Sequence, residues 1–272
     1  MKQYAFLVYH RTDDNLFETC LKTLRQNSDC LITVVTDNVP IGMRLQWTVT
    51  FGVEWLIVCP EQMTDRRAAC KLEVLEAFIS GLKDEDEVLV SDVDIYFLDN
   101  PFLAMGGFDV GLTTRGYDYP FPINGGVFYL KVNEHSREWI HWHVEEIYHM
   151  KWSPYIKHNK GHRQRFGLDW AVGQDFLIAC WEQRDWIESV KHIRIKDVGP
   201  KFNYCPPSDR WGQRAFEAIR TAYKEKTVVA LHLKSTLKDI LYEGLFEDAV
   251  TKYPRCSNDW FLEGSKPKGK ET

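Results

Sequence analysis

The first half of the chain alternates short apolar runs with segments whose apolar residues recur at helical spacing. The runs predict four buried strands, at residues 4–9, 31–36, 55–59 and 88–90. The helical spacing predicts one helix around residues 16–24 and another over 66–82. Alternating strands and helices indicate an α/β protein, with a Rossmann-like, doubly wound, mainly parallel central sheet and helices on both faces. Ligands of such sheets bind beyond the carboxyl ends of the strands.

The second half has a different pattern and is richer in tryptophan. A loop rich in Gly, Pro and Tyr at 115–126 is flanked by two predicted strands, and helices and a late strand follow. We expect one domain over 1–264, with halves 1–102 and 103–264, and a disordered polar tail at 265–272. The predicted elements are strands at 109–113, 127–132 and 227–231 and helices at 136–150 and 169–181.

Composition narrows the class of protein. The chain has 272 residues, of which 44% are hydrophobic, so it can bury a sizeable core and is not mainly disordered. A formal net charge of −5 argues against a surface devoted to coating nucleic acid. No apolar run reaches the ~20 residues of a membrane span, and the apolar start is too short for a signal peptide. Seven scattered cysteines without a CxxC pair indicate reduced thiols, a cytoplasmic location and no structural zinc.

Two carboxylates follow the fourth predicted strand. Asp92 and Asp94 are one residue apart and project from the same side of the chain if it stays extended. Carboxylate oxygens at this spacing suit Mg²⁺ or Mn²⁺ held jointly with a diphosphate, whose charge the metal would neutralise. The alternative is a solvated strand end with ordinary turn acids.

The segment that contains these acids resembles a known motif. Residues 91–102 read Ser-Asp-Val-Asp-Ile-Tyr-Phe-Leu-Asp-Asn-Pro-Phe and resemble the DxD segment of GT-A-type glycosyltransferases, most closely retaining families 8 and 77. Further matches follow the family's order. They are Lys71 on the preceding helix, Asn124-Gly125-Gly126-Val127, Gly173-Gln174-Asp175, and His232-Leu-Lys-Ser235-Thr-Leu-Lys238. The chain departs from the family pattern where Gly173 replaces an Asp and Ser235 replaces a Gly.

The resemblance implies a GT-A-type fold and a metal-dependent transferase that moves a sugar from a nucleoside-diphosphate sugar, commonly a UDP-sugar, to an acceptor hydroxyl with retention. Mn²⁺ or Mg²⁺ would be held by Asp92, Asp94 and His232, and the departing diphosphate by Lys238 and Lys71. Sugar and nucleoside contacts would come from Asn124, Gly125, Gln174, Asp175, Tyr9, Thr12 and Asp37, with Gln174, Asp175 and Lys238 closest to the chemistry. The alternatives without a ligand are a core tyrosine at Tyr9, an N-cap for the helix that starts near Asp13, a backbone-bonded His232 and solvated lysines.

The acceptor is the least defined part of the prediction. Residues 151–166 interleave basic and aromatic side chains, which suits a glycan or lipopolysaccharide acceptor, a nucleic-acid acceptor, a lid over the donor, or a solvated face. Two other functions also stay open: a metal-dependent nucleotidyltransferase or phosphohydrolase, and a catalytically inactive module that binds sugar nucleotides.

Overall fold

A seven-stranded sheet forms the centre of the computed structural model, which describes residues 1–10, 14–37, 39–59, 67–114, 122–149, 168–205 and 213–233. The strand order is β3-β2-β1-β4-β7-β6-β8. Strands β1 to β4 are mutually parallel, β7 runs antiparallel to β4 and β6, and β8 is parallel to β6. The sheet strands are β1 (Gln3–Tyr9), β2 (Leu31–Thr36), β3 (Val53–Ile57), β4 (Glu87–Asp92), β6 (Val110–Thr114), β7 (Ile123–Lys131) and β8 (Ile195–Asp197). This topology confirms the predicted Rossmann-like, mainly parallel sheet.

Helices cover both faces of the sheet. They are α1 (Asp14–Asn27), α2 (Ile41–Phe51), α3 (Arg67–Ser80), α4 (Glu134–His149), α5 (Leu168–Glu182), α6 (Arg184–Lys191) and α7 (Gln213–Glu225). Side chains of β1 alternate between the faces, as expected of a strand. Phe6 and Val8 pack in a cluster with α3, α4 and α5, whereas Leu7 and Tyr9 pack with α1 and α2.

Three strands differ from prediction by more than the others do. The third strand begins and ends two residues earlier than expected, at Val53 and Ile57. Strand β7 begins at Ile123, so residues 123–126, which were predicted to belong to the loop, are part of a strand. The late strand is β9 (Ala230–His232), which pairs with β5 (Ile95–Phe97) in a separate two-stranded antiparallel sheet and does not join the central one. His232 is therefore the last residue of its strand and does not follow it.

The remaining predictions concern the basic segment, the tail, the number of domains, membrane helices and the cysteines. Residues 151–166 and 265–272 lie outside the described residues, and the single domain over 1–264 stays a prediction. Within the described ranges no helix has both the length and the apolarity to cross a membrane. None of the six cysteines in those ranges is in a disulfide.

Candidate metal and donor site

The acidic pair lies where the central sheet passes into the small one. Strand β4 ends at Asp92, the chain bends at residues 93 and 94, and β5 begins at Ile95. The backbone carbonyl of Asp94 accepts a hydrogen bond from the amide of Leu233 at 2.9 Å. That bond fixes the bend against the end of β9, so the chain does not need to stay extended to bring the two carboxylates together.

His232 completes a cluster with the two acids. Its Nε2 lies 3.1 Å from Oδ1 of Asp94, and one ligand atom each of Asp92, Asp94 and His232 lie within 4.8 Å of one another. Adjacent ligands of an octahedral Mg²⁺ or Mn²⁺ at about 2.1 Å are ~3 Å apart and opposite ones ~4.2 Å. Asp94 and His232 are buried, whereas the Asp92 side chain is 44% exposed. The three donors are therefore close enough to hold one divalent ion after a small side-chain adjustment, and the exposed Asp92 leaves such an ion open to a further ligand.

Gly126 makes room for this cluster. A Cβ atom at this position would lie 2.3 Å from Cε1 of His232 and 2.9 Å from Oδ2 of Asp92. Both separations are shorter than real Cβ contacts, so any side chain here would displace the imidazole or the carboxylate. Glycine in β7 is thus required by the close approach of the two ligands to the backbone.

Two asparagines contact the far side of the imidazole. The Oδ1 atom of Asn203 lies 2.9 Å from Nδ1 of His232, and Nδ2 of Asn124 lies 3.0 Å from the same nitrogen. Asn124 Nδ2 also lies 2.7 Å from Sγ of Cys205. All of these side chains are buried. The metal-facing nitrogen, Nε2, is therefore oriented by contacts made behind the ring.

Lys71 brings a cation to the edge of the cluster. Its Nζ lies 3.2 Å from Oδ1 of Asp92 and 5.8 Å from the centre of the Phe128 ring. The lysine side chain is only 13% exposed. Lys71 therefore lies on α3 beside Asp92, and its predicted contact with a donor phosphate stays a prediction.

Helix α5 supplies Gln174 and Asp175. The Gln174 side chain bonds to the β7 backbone at both ends, donating to the carbonyl of Ile123 at 3.0 Å and accepting from the amide of Gly125 at 3.3 Å. Asp175 is fully buried. Gln174 therefore lies beside Asn124 and Gly125, and both polar atoms of its side chain bond to the backbone of β7. Its predicted contact with a sugar stays a prediction.

Gly173 lies beside a buried histidine. The Nε2 atom of His143 is 3.2 Å from the Gly173 carbonyl, and its ring stacks on Phe176 at 4.2 Å between centroids. Burial lowers the pKa of His143 from 6.5 to about 3, and the hydrogen bond to Gly173 opposes that shift only in part. His143 is therefore neutral over the physiological pH range.

Of the three residues predicted to contact the nucleoside, the structure describes Tyr9 and Asp37. The Tyr9 ring is 0% exposed, stacks on Phe17 at 4.3 Å, and its hydroxyl donates to Asp14. These contacts favour the core interpretation over stacking on a base. Asp37 lies just past β2, with Oδ2 3.1 Å from Nδ1 of His10. Thr12 and Lys238 lie outside the described residues, so their roles stay predictions.

Sequence reasoning missed the residues behind the imidazole. Asn203 and Thr113 come from segments without a recognisable motif, and Cys205 is one of several scattered thiols. The signal for Gly126 was present, because two adjacent glycines at the start of a strand indicate a close backbone approach.

The fold is that of known glycosyltransferases. The chain is similar to the glycosyltransferase GlyE of Streptococcus pneumoniae TIGR4, with 13% identity and a TM-score of 0.54 over 100% of this chain and 67% of that one. For the apo form of GlyE the values are 12% identity, a TM-score of 0.54 and coverage of 100% and 66%. Similarity to the galactosyltransferase LgtC, crystallised with donor and acceptor sugar analogues, is weaker at a TM-score of 0.49. No protein-family model and no curated protein sequence matches the chain.

The chain spans about two thirds of the length of GlyE. At this level of identity the likeness defines the fold, and that fold is the GT-A type expected from the motif at residues 91–102.

Proposed function

We propose that the protein is a metal-dependent glycosyltransferase that moves a sugar from a nucleoside-diphosphate sugar, most simply a UDP-sugar, to an acceptor hydroxyl. The observation that carries this proposal is the convergence of Asp92, Asp94 and His232 within 4.8 Å at the carboxyl end of β4. In a doubly wound sheet that edge is the expected ligand site. The GT-A-type fold supports the same class of reaction.

In this proposal Asp92, Asp94 and His232 hold Mn²⁺ or Mg²⁺. Such an ion supplies a Lewis acid that neutralises charge on the diphosphate leaving group. Lys71 lies 3.2 Å from Asp92, so it neutralises that carboxylate in the free chain and is close enough to bind a phosphate oxygen once the carboxylate binds an ion. Lys238 would add a second cation, as its motif implies. Together these charges favour departure of the diphosphate.

Sugar positioning is assigned to Asn124, Gly125, Gln174 and Asp175. Gln174 already bonds to the backbone on either side of Asn124, so Gln174, Asn124 and Gly125 lie close together beside the proposed metal site. We propose retention of configuration by same-face attack, in which the leaving diphosphate oxygen takes the acceptor proton. A glycosyl adduct trapped on Asp175 and detected by mass spectrometry would contradict that pathway in favour of a covalent intermediate.

A glycan hydroxyl is the proposed acceptor. Among the residues that the structure describes, none supports a nucleic-acid acceptor, and the basic aromatic segment 151–166 is not among them. Replacing Lys157, Lys160, Arg163 and Arg165 with Ala tests this segment. Transfer to acceptor should fall more than donor hydrolysis, whereas equal loss of both would mark the segment as part of the donor site.

The first test is a thermal-shift panel of UDP, GDP, CDP and their sugars, with and without Mn²⁺. A ligand at about 100 times its Kd adds about 2.7 kcal/mol, which raises Tm by about 5 °C for a chain of this size. The shift should require Mn²⁺ and be lost in Asp94→Asn. Asp99→Asn is the matched control, because Asp99 lies in the same segment, is exposed and stands outside the cluster.

The outcomes separate the candidate functions. A metal-dependent shift with one base, followed by sugar transfer, supports the proposal. Binding of Mn²⁺ and UDP without turnover of any donor would identify an inactive binding module. Release of inorganic phosphate or pyrophosphate without transfer would indicate a phosphohydrolase or nucleotidyltransferase. No shift with any nucleotide would refute the donor site itself.

A further inference from the structure

The segment around Asn203 is held beside the end of β9 by its backbone. The amide of Tyr204 donates to the carbonyl of Ala230 at 2.8 Å, and the amide of His232 donates to the carbonyl of Tyr204 at 2.9 Å. Asn203 is fully buried there. These bonds explain how a residue 29 positions away in the sequence comes to contact the imidazole of His232.

The orientation of the Asn203 side chain follows from its other partners. Its Nδ2 lies 3.2 Å from the backbone carbonyl of Asn124, which can only accept a hydrogen bond. It also lies 2.8 Å from Oγ1 of Thr113, whose own proton is directed to the carbonyl of Val127 at 2.8 Å. Both contacts require the NH₂ group on that side. The Oδ1 atom therefore faces Nδ1 of His232 as an acceptor.

Asn124 favours the opposite protonation state of Nδ1 of His232. Its Oδ1 accepts a hydrogen bond from the amide of Gly126 at 3.2 Å, so its NH₂ group faces Nδ1 of His232. A donor there favours a lone pair on Nδ1, whereas the acceptor of Asn203 favours a proton. The two asparagines thus select opposite neutral tautomers of His232.

We propose that Asn203 is a positioning residue for metal binding and that Asn124 opposes it. A metal ion takes the lone pair on Nε2, which is available only when the proton is on Nδ1, and Asn203 Oδ1 is the acceptor for that proton. When the proton moves to Nδ1, the NH₂ group of Asn124 retains Sγ of Cys205 as a partner at 2.7 Å. This inference rests on the metal site of the proposed function and adds the residue that prepares the histidine to bind.

The test measures Mn²⁺ affinity by calorimetry without any nucleotide, so that sugar contacts of Asn124 do not enter. Asn203→Leu and Asn124→Leu form a matched pair, because each removes a buried amide next to Nδ1 with little change in volume. Asn203→Leu should weaken Mn²⁺ binding ~10–100-fold, as is usual for loss of a group that orients a metal ligand. Asn124→Leu should bind Mn²⁺ at least as tightly as the wild type.

The opposite directions distinguish positioning from damage. Parallel weakening in both Leu variants would overturn the inference, as would wild-type affinity in Asn203→Leu. If Asn203→Leu does not fold, Asn203→Ala removes the same acceptor with a smaller side chain, and unchanged Mn²⁺ affinity would again overturn the inference. Failure of the wild-type chain to bind Mn²⁺ would instead refute the metal site, which separates failure of the proposed function from failure of this inference alone.

Discussion

Acidification should destabilise the protein through one buried histidine. His143 packs between Trp139 and Phe176, and burial lowers its pKa from 6.5 to about 3. In the unfolded chain it regains the ordinary pKa. Between the two values the unfolded state binds a proton that the folded state does not, so the free energy of unfolding rises with pH in this window. The stabilisation is complete above pH 6.5 and is lost as the pH falls towards 3.

The size of the effect at pH 5 depends mainly on the unfolded state. At about pH 5 the folded imidazole is still neutral. In the unfolded chain the same pH is about 1.5 units below the pKa of His143, so the imidazole is almost fully charged. The cost is about 1.36 kcal/mol for each of those units, or about 2 kcal/mol in total. A folded pKa anywhere below 4 gives the same result, so the expectation does not depend on the precise value.

Urea unfolding at several pH values, followed by tryptophan fluorescence, measures this loss. His143→Phe is the comparison variant, because phenylalanine keeps a ring against Phe176 and cannot be protonated. Between about pH 8 and about pH 5 the wild type should lose about 2 kcal/mol more than the variant. All other titrating groups are common to the two proteins and cancel. Equal losses would show that His143 is charged or hydrated in the folded chain and would refute the reasoning.

Two further predictions concern tight packing and a buried ion pair. Gly126→Ala should abolish Mn²⁺ binding in the calorimetric assay, because its Cβ would lie 2.3 Å from Cε1 of His232. Gly42→Ala is the control and should bind Mn²⁺ normally, because a Cβ at residue 42 would have no atom within 4 Å. Arg194→Leu should lower the free energy of unfolding by about 2 kcal/mol, because buried Asp109 loses its charged donors. Lys191→Leu is the control: it breaks the exposed Lys191–Glu138 pair and should lower the free energy of unfolding by only ~0.3 kcal/mol. Urea unfolding of the Arg194→Leu and Lys191→Leu variants measures both losses, and equal losses in the two variants would contradict this prediction. Burial raises the pKa of Asp109 but the bonds from Arg194 outweigh it and lower the pKa below 3.8, so this contribution is lost only below that pH.

The sequence predicted the parts of the fold in which local pattern and burial agree. Strand β2 has the predicted boundaries because an apolar β-branched run is buried on both faces of a parallel sheet. Helix α2 was missed because its outer face is apolar too: Ile41, Leu45 and Val49 are 69%, 60% and 86% exposed. With apolar residues on every side, the helical period disappears from the sequence.

The site shows the same division between local and long-range information. Asp92 and Asp94 could be found because strand, bend and acids lie within a few residues. The start of β7 was read as a loop because glycine is uncommon in strands, and the reason for Gly126 is a histidine more than 100 residues away. Asn203 is fixed beside His232 only by backbone pairing between distant segments. No local pattern encodes that contact.

The candidate site is thus held together by polar links between elements that the central sheet alone would not join. Gln174 ties α5 to the backbone of β7, and Asn124 ties β7 to His232 of β9. Strand β9 in turn pairs with β5, directly after the acidic pair. The Gln174 oxygen accepts one bond from the β7 backbone and its NH₂ group donates one, and each can make a second, so Gln174 can bond a sugar and keep both links to β7. The link between α5 and β7 therefore does not have to break when a sugar is bound, and the backbone next to Asn124 stays fixed beside the metal ligand.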